Sequence, residues 1–145
     1  MNLPLYRVML VKESSGRRYR CRITSDEAAY RALRPFFRNL DREQFLVCCL
    51  DAKHEIRAVN VVSVGSLTEA IVHPREVFKP AILANAHAVI LAHNHPSGDP
   101  TPSDNDREIT ERLKLAGDLL GIKVIDSLVF GDSSYRRVGA KRRSR

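Results

Sequence analysis

Ala88-Val89-Ile90-Leu91-Ala92-His93-Asn94-His95, followed by Pro96-Ser97-Gly98-Asp99-Pro100-Thr101-Pro102-Ser103, is the stretch around which the rest of the chain organises. Five apolar residues in a row, short and without helical spacing, read as a buried strand that runs straight into two histidines. The next seven residues hold three prolines and a glycine, so they form a stiff connection and no helix. Ser103 is then a natural N-cap for a helix over Asp104 to Leu120, and Gly121 a natural residue to end it.

Working outward, Phe45 to Leu50 is a second nearly continuous apolar run, Asp51 to His54 a turn, and Ile56 to Val64 a further strand. Pro74 starts a helix over Arg75 to Ala86, and Val124 to Phe130 and Tyr135 to Val138 close the sheet around the turn Gly131-Asp132. Thr24, with Glu27 three residues on, is expected to cap a helix that carries Ala29, Leu33, Phe36 and Phe37 on one stripe and ends near Asn39. Leu5 to Val11 and Tyr19 to Ile23 are expected to be strands joined by a polar turn, and Leu67 to Val72 another short strand. Strands interleaved with three helices predict an α/β fold, a mixed sheet of roughly six or more strands with flanking helices.

At 145 residues, 43% hydrophobic and 28% charged, the chain suits one globular core. No apolar run approaches the ~20 residues of a membrane span and the N-terminus lacks a signal-peptide layout, so a cytoplasmic protein with no membrane partner is expected. The odd number of cysteines, Cys21, Cys48 and Cys49, points to reduced thiols, and Cys48 and Cys49 on one strand would face opposite sides. Much of the net charge of +7 gathers in two places, Arg17, Arg18, Arg20 and Arg22 near one turn, and Arg136, Arg137, Lys141, Arg142, Arg143 and Arg145 at the C-terminus. Such clusters suit either a solvated tail or contact with nucleic acid.

His93 and His95, spaced i, i+2 at the end of an extended run, project to one face and can chelate one ion. Zinc takes imidazole nitrogens together with a carboxylate oxygen, and Asp106, in the first turn of the helix that the prolyl loop returns towards the strand end, can supply it. Asp106 is equally placed to be the acidic half of a capping box with Ser103. Only three protein ligands are found, whereas a purely structural zinc usually has four. The string His-Asn-His also names a nuclease class, but there the residues are scattered over a ββα unit, and three consecutive letters give it no support.

His93-x-His95-x(7)-Ser103-x-x-Asp106 resembles the metal motif of the JAMM (MPN-plus) metallopeptidases, and the form His93-Asn-His-Pro-Ser-Gly-Asp-Pro-Thr-Pro-Ser103 is similar to that of bacterial RadC-like proteins. Val61 to Leu67, His73 to Phe78, Ala88 to His93 and Gly117 to Gly131 also read like RadC-family sequence, so the likeness spans nearly the whole chain. The resemblance implies a single MPN/JAB-like domain of cytidine-deaminase-like architecture over residues 1–139, with residues 140–145 as a disordered basic tail. It also implies a zinc ion on His93, His95 and Asp106, a glutamate acting as general base, and Ser103 donating to the developing oxyanion. Glu43, at the start of the strand run, fits the place of that glutamate; Glu69 and Glu76 also precede the motif. His54, His73 and His87 lie off it and are read as structural or surface residues.

Three functions follow as expectations. The first is a zinc-dependent metallohydrolase cleaving a peptide or isopeptide-like amide in a peptide or protein substrate. The second is a nucleic-acid-associated protein of DNA repair or recombination, a reading weakened because the chain starts too late to hold the helix-hairpin-helix region frequent in RadC-type proteins. The third is a metal-stabilised binding module without turnover. Manganese or iron remain open as the working ion.

Overall fold

The two apolar runs become the two central strands, and everything else is arranged around them. The computed structural model describes residues 3–13, 21–66 and 72–139. β1 (Gln44–Leu50) and β3 (Ala88–Asn94) are buried over almost their whole length. They pair antiparallel with Phe45 opposite His93. β2 (Ile56–Val64) adds antiparallel to the other side of β1. On the far side of β3 lie β4 (Lys123–Phe130), parallel to it, and then β5 (Tyr135–Arg137), antiparallel. The order is β2-β1-β3-β4-β5, five strands in a mixed sheet.

Period-two alternation divides the apolar residues between two layers. Phe45, Val47, Cys49, Val89 and Leu91 face α2 (Pro74–Leu83) and α3 (Asp104–Leu120), where Phe78, Ile109 and Leu113 meet them. Leu46, Cys48, Leu50, Ile90 and Ala92 face α1 (Asp26–Leu33) through Ala29 and Leu33. Cys48 and Cys49 therefore sit in different layers, both unpaired, as the alternation requires. This is the mixed α/β architecture with flanking helices expected from the sequence.

Several element boundaries differ from expectation for identifiable reasons. α1 starts at Asp26, so its cap is Ser25, whose hydroxyl accepts from Ala28 N at 3.0 Å, and not Thr24. The helix stops at Leu33 because Pro35 has no N–H to continue the ladder, and Arg34–Phe37 tighten into one 3-10 turn. Leu5 to Val11 is rich in apolar and strand-forming residues but joins no ladder, and Leu5 is 98% exposed. A strand pattern needs a partner edge and a face to bury before it is stable. The expected strand Tyr19 to Ile23 lies partly outside the described residues and is otherwise reduced to one bridge between Arg22 and Glu55. That expected over Leu67 to Val72 lies outside them except for Val72, which is in the core. The described sheet thus has five strands where six or more were expected. No helix among the described residues is long and apolar enough to cross a membrane.

Candidate metal centre

His93 is the last residue but one of β3 and points into the layer of α2 and α3, where Phe45 stacks on its ring at 5.8 Å and 11°. His95 lies just past the strand, yet its backbone N donates to Phe130 O at 2.9 Å, so the chain stays extended beside β4 for one more residue. The two imidazoles consequently end on one side, with ring centroids 5.2 Å apart. The prolyl loop then turns at Gly98, whose φ is +89° and whose missing side chain would lie 2.3 Å from the Asp132 carboxylate. No other residue suits that position. Asp99 braces the loop by accepting from both the N–H and the hydroxyl of Thr101, which holds its carboxyl below the usual value.

At the start of α3, Ser103 and Asp106 form a full capping box. Asp106 N donates to Ser103 Oγ at 3.1 Å, and Ser103 N donates to Asp106 Oδ2 at 2.8 Å. The two readings left open for Asp106 are therefore compatible. The cap fixes the carboxylate so that its oxygens meet both histidines: Oδ1 lies 3.0 Å from His93 Nε2, and Oδ2 lies 3.0 Å from His95 Nε2. Burial raises the Asp106 pKa, but the His93 imidazole, the Ser103 N–H and His95 outweigh it and hold the carboxyl well below the ordinary carboxylate range.

The donor set fits a metal ion. His95 Nδ1 is 2.9 Å from Asp99 O, and a carbonyl can only accept, so Nδ1 carries a hydrogen and Nε2 is the ring nitrogen turned to Asp106. Nε2 and that carboxylate oxygen, 3.0 Å apart, can share either a proton or a metal ion. His93 is 2% exposed, yet neither of its ring nitrogens has a well-directed hydrogen bond among the described residues. Its Nε2 is near enough to Asp106 for an ion pair but is misaligned for a hydrogen bond. A buried imidazole nitrogen left this way calls for another kind of partner. One ligand atom from each of the three side chains falls within 4.8 Å of the others, so His93, His95 and Asp106 could hold a metal ion.

Glu43, His95, Ser103 and Asp106 line one cleft of about 320 Å³. Glu43 precedes β1 by one residue and lies two before Phe45, which pairs with His93, so its side chain belongs to the His93 face. Its placement depends on Asn94, to which the sequence reading assigns no role. Asn94 Oδ1 accepts from Gln44 N at 2.7 Å, and Asn94 Nδ2 donates to Arg42 O at 3.1 Å. The only sequence signal for it is the alternation itself, which turns the residue between two same-facing histidines the other way. Of the other glutamates considered, Glu76 pairs with Lys79 and Arg75 on α2, and Glu69 lies outside the described residues. His73 caps α2 by accepting from Arg75 N, and neither it nor His54 or His87 belongs to the metal-ligating group found among the described residues.

The sequence as a whole fits this geometry. A family model described as a RadC-like JAB domain matches residues 23–142. The chain belongs to the RadC-like JAB domain family. Among curated relatives, the UPF0758 protein of Symbiobacterium thermophilum is 55% identical over 113 residues, 78% of this chain and 48% of the relative. The UPF0758 protein of Geobacter sulfurreducens is 50% identical over 114 residues, covering 79% and 50% of the two chains. That of Methanosarcina barkeri is 45% identical with the same coverage. The chain thus spans about half the length of these relatives, whose names state no activity. The five-stranded mixed sheet and three helices agree with a JAB/MPN fold. Of the basic residues noted in the sequence, Arg17, Arg18, Arg20 and those beyond 139 lie outside the described residues. Arg137 pairs with Asp126 at 3.1 Å, and Arg136 and Arg22 are exposed.

Proposed function

We propose that this RadC-like JAB domain is a zinc-dependent hydrolase of amide bonds, acting on a peptide or protein substrate, with His93, His95 and Asp106 as the metal ligands. The observation that carries this reading is the convergence of two imidazole Nε2 atoms on opposite oxygens of one buried carboxylate, each at 3.0 Å, beside a cleft that Glu43 also lines. Zinc in such a site polarises a carbonyl and brings the pKa of water to about 7. Glu43 takes the proton from the attacking water and passes it to the leaving amine, so that its carboxylate is regenerated at the end of the turnover. Ser103 accepts the Asp106 N–H through its oxygen and still has its own O–H, which donates to the carbonyl oxygen as charge develops there. Asp99 keeps His95 in the tautomer that offers Nε2.

The test compares wild type with Glu43→Gln, each carrying one equivalent of zinc, on a fluorogenic peptide library. Turnover should fall roughly 10²–10⁴-fold with metal content unchanged. Equal activity in the two proteins would remove Glu43 from the reaction.

A further inference from the structure

A second cavity, of about 400 Å³, shares His95 and Pro96 with the cleft beside the metal centre but is not lined by Asp106. Its floor is aromatic and tightly built. Phe37 stacks on Phe130 at 4.4 Å, Tyr30 lies 5.1 Å from Phe130, and Tyr30 stacks on Tyr135 at 4.5 Å. Arg34 and Arg38, carried by the 3-10 turn and the residue after it, also line the cavity. Arg34 rests above the Tyr30 ring at 6.0 Å, and neither arginine has an acidic partner among the described residues. Six of the other ten described arginines, Arg31, Arg42, Arg57, Arg75, Arg107 and Arg137, are each engaged by a carboxylate. One carboxylate, Asp132, lines the far wall and packs over Gly98.

Building on the hydrolase reading, we infer that this cavity is the specificity subsite and that it receives a carboxylate of the substrate, held by Arg34 and Arg38. Two guanidinium groups lining one cavity, one of them over an aromatic face, match a carboxylate in shape and charge. The volume is near the small end of ligand pockets, roughly 300–1,000 Å³, which suits one residue and not an extended polypeptide. Because His95 borders both cavities, an anion anchored here lays the neighbouring amide across the metal centre. The carboxylate can be a free C-terminus or an acidic side chain.

The zinc-loaded Glu43→Gln protein, which should not consume its ligand, is titrated with three fluorescein-labelled tetrapeptide pools followed by anisotropy. One pool has a free C-terminus and neutral side chains, the second is amidated and neutral, and the third is amidated with one Asp or Glu. One or both carboxylate pools should bind about tenfold or more tightly than the neutral amidated pool, and which of them does so identifies the source. Arg34→Gln/Arg38→Gln should erase the difference with zinc content unchanged, and the single change Arg38→Gln should reduce it. Equal affinity for all pools, or a preference that survives the double change, overturns the inference. Displacement of the peptides by a single-stranded oligonucleotide with steep salt dependence overturns it in favour of a nucleic-acid site. Carboxylate preference without hydrolysis by the wild type would remove the hydrolase reading and keep the subsite; hydrolysis without preference would do the reverse.

Discussion

Asn94 holds the backbone on both sides of Glu43, accepting from Gln44 N and donating to Arg42 O. The residue between the two histidines thereby ties the strand that carries them to the carboxylate proposed as the base. Asn94→Ala would leave a part-buried N–H and carbonyl unmatched, at a cost of about 1–3 kcal/mol. Turnover should fall roughly 10–100-fold while zinc still binds one to one, a split typical of groups that orient others. Metal analysis and peptide hydrolysis on the same preparation check both parts. Loss of zinc together with activity would mean that Asn94 supports the metal site itself.

Asp106 serves the α3 cap and both imidazoles at once, so the choice of substitution matters. Asn keeps an oxygen able to accept the Ser103 N–H but loses the charge. Asp106→Asn should therefore fold, yet bind zinc at least ~100-fold more weakly than wild type. For wild type, zinc at a hundredfold excess over its dissociation constant should stabilise by about 2.7 kcal/mol, raising the melting temperature roughly 5–10 °C. The same zinc should raise Asp106→Asn by no more than about 1–2 °C. Calorimetry with and without a chelator measures this.

The parts legible in the sequence were those set by local chemistry. Apolar runs without periodicity became β1 and β3, and a Ser three residues before an Asp became the capping box of α3. The pairing of Phe45 with His93, which brings Glu43 to the metal residues, is a long-range register that no local pattern encodes. Leu5 to Val11 shows the converse: an apolar, strand-like composition is present, but a strand also requires an edge to pair with. The arginine cavity was hidden for a third reason. No local pattern sets Arg34 and Arg38 apart; they come to one cavity because Pro35 ends α1 and Phe37 packs on Phe130.

The three cysteines should separate by accessibility. Burial pushes the Cys49 thiol up to about 11, and Cys48, more deeply buried and beside Cys49 and Cys21, is pushed higher still. Cys21 is only half-buried. Since the thiolate is the reacting form, Ellman's reagent at pH 8 should label one thiol rapidly in the folded protein and all three after denaturation. Two rapid thiols would show that the sheet opens at β1.

Tyr135 Oη donates to Asp26 Oδ2 at 2.8 Å and so joins β5 to the first turn of α1, the helix that carries Tyr30 and Arg34's neighbouring turn. This bond lowers the Asp26 pKa below its ordinary value. A carboxyl depressed in the folded state contributes stability that is present above its unfolded value and lost as pH falls through the folded one. Tyr135→Phe keeps the ring stacked on Tyr30 and removes only the hydroxyl. It should lower the melting temperature by roughly 2–4 °C at pH 6–7, and the deficit should shrink as Asp26 is protonated below its unfolded value near 3.8. Melting curves of both proteins across that range decide it: a deficit constant with pH would mean that the hydroxyl acts through packing and not through the Asp26 charge.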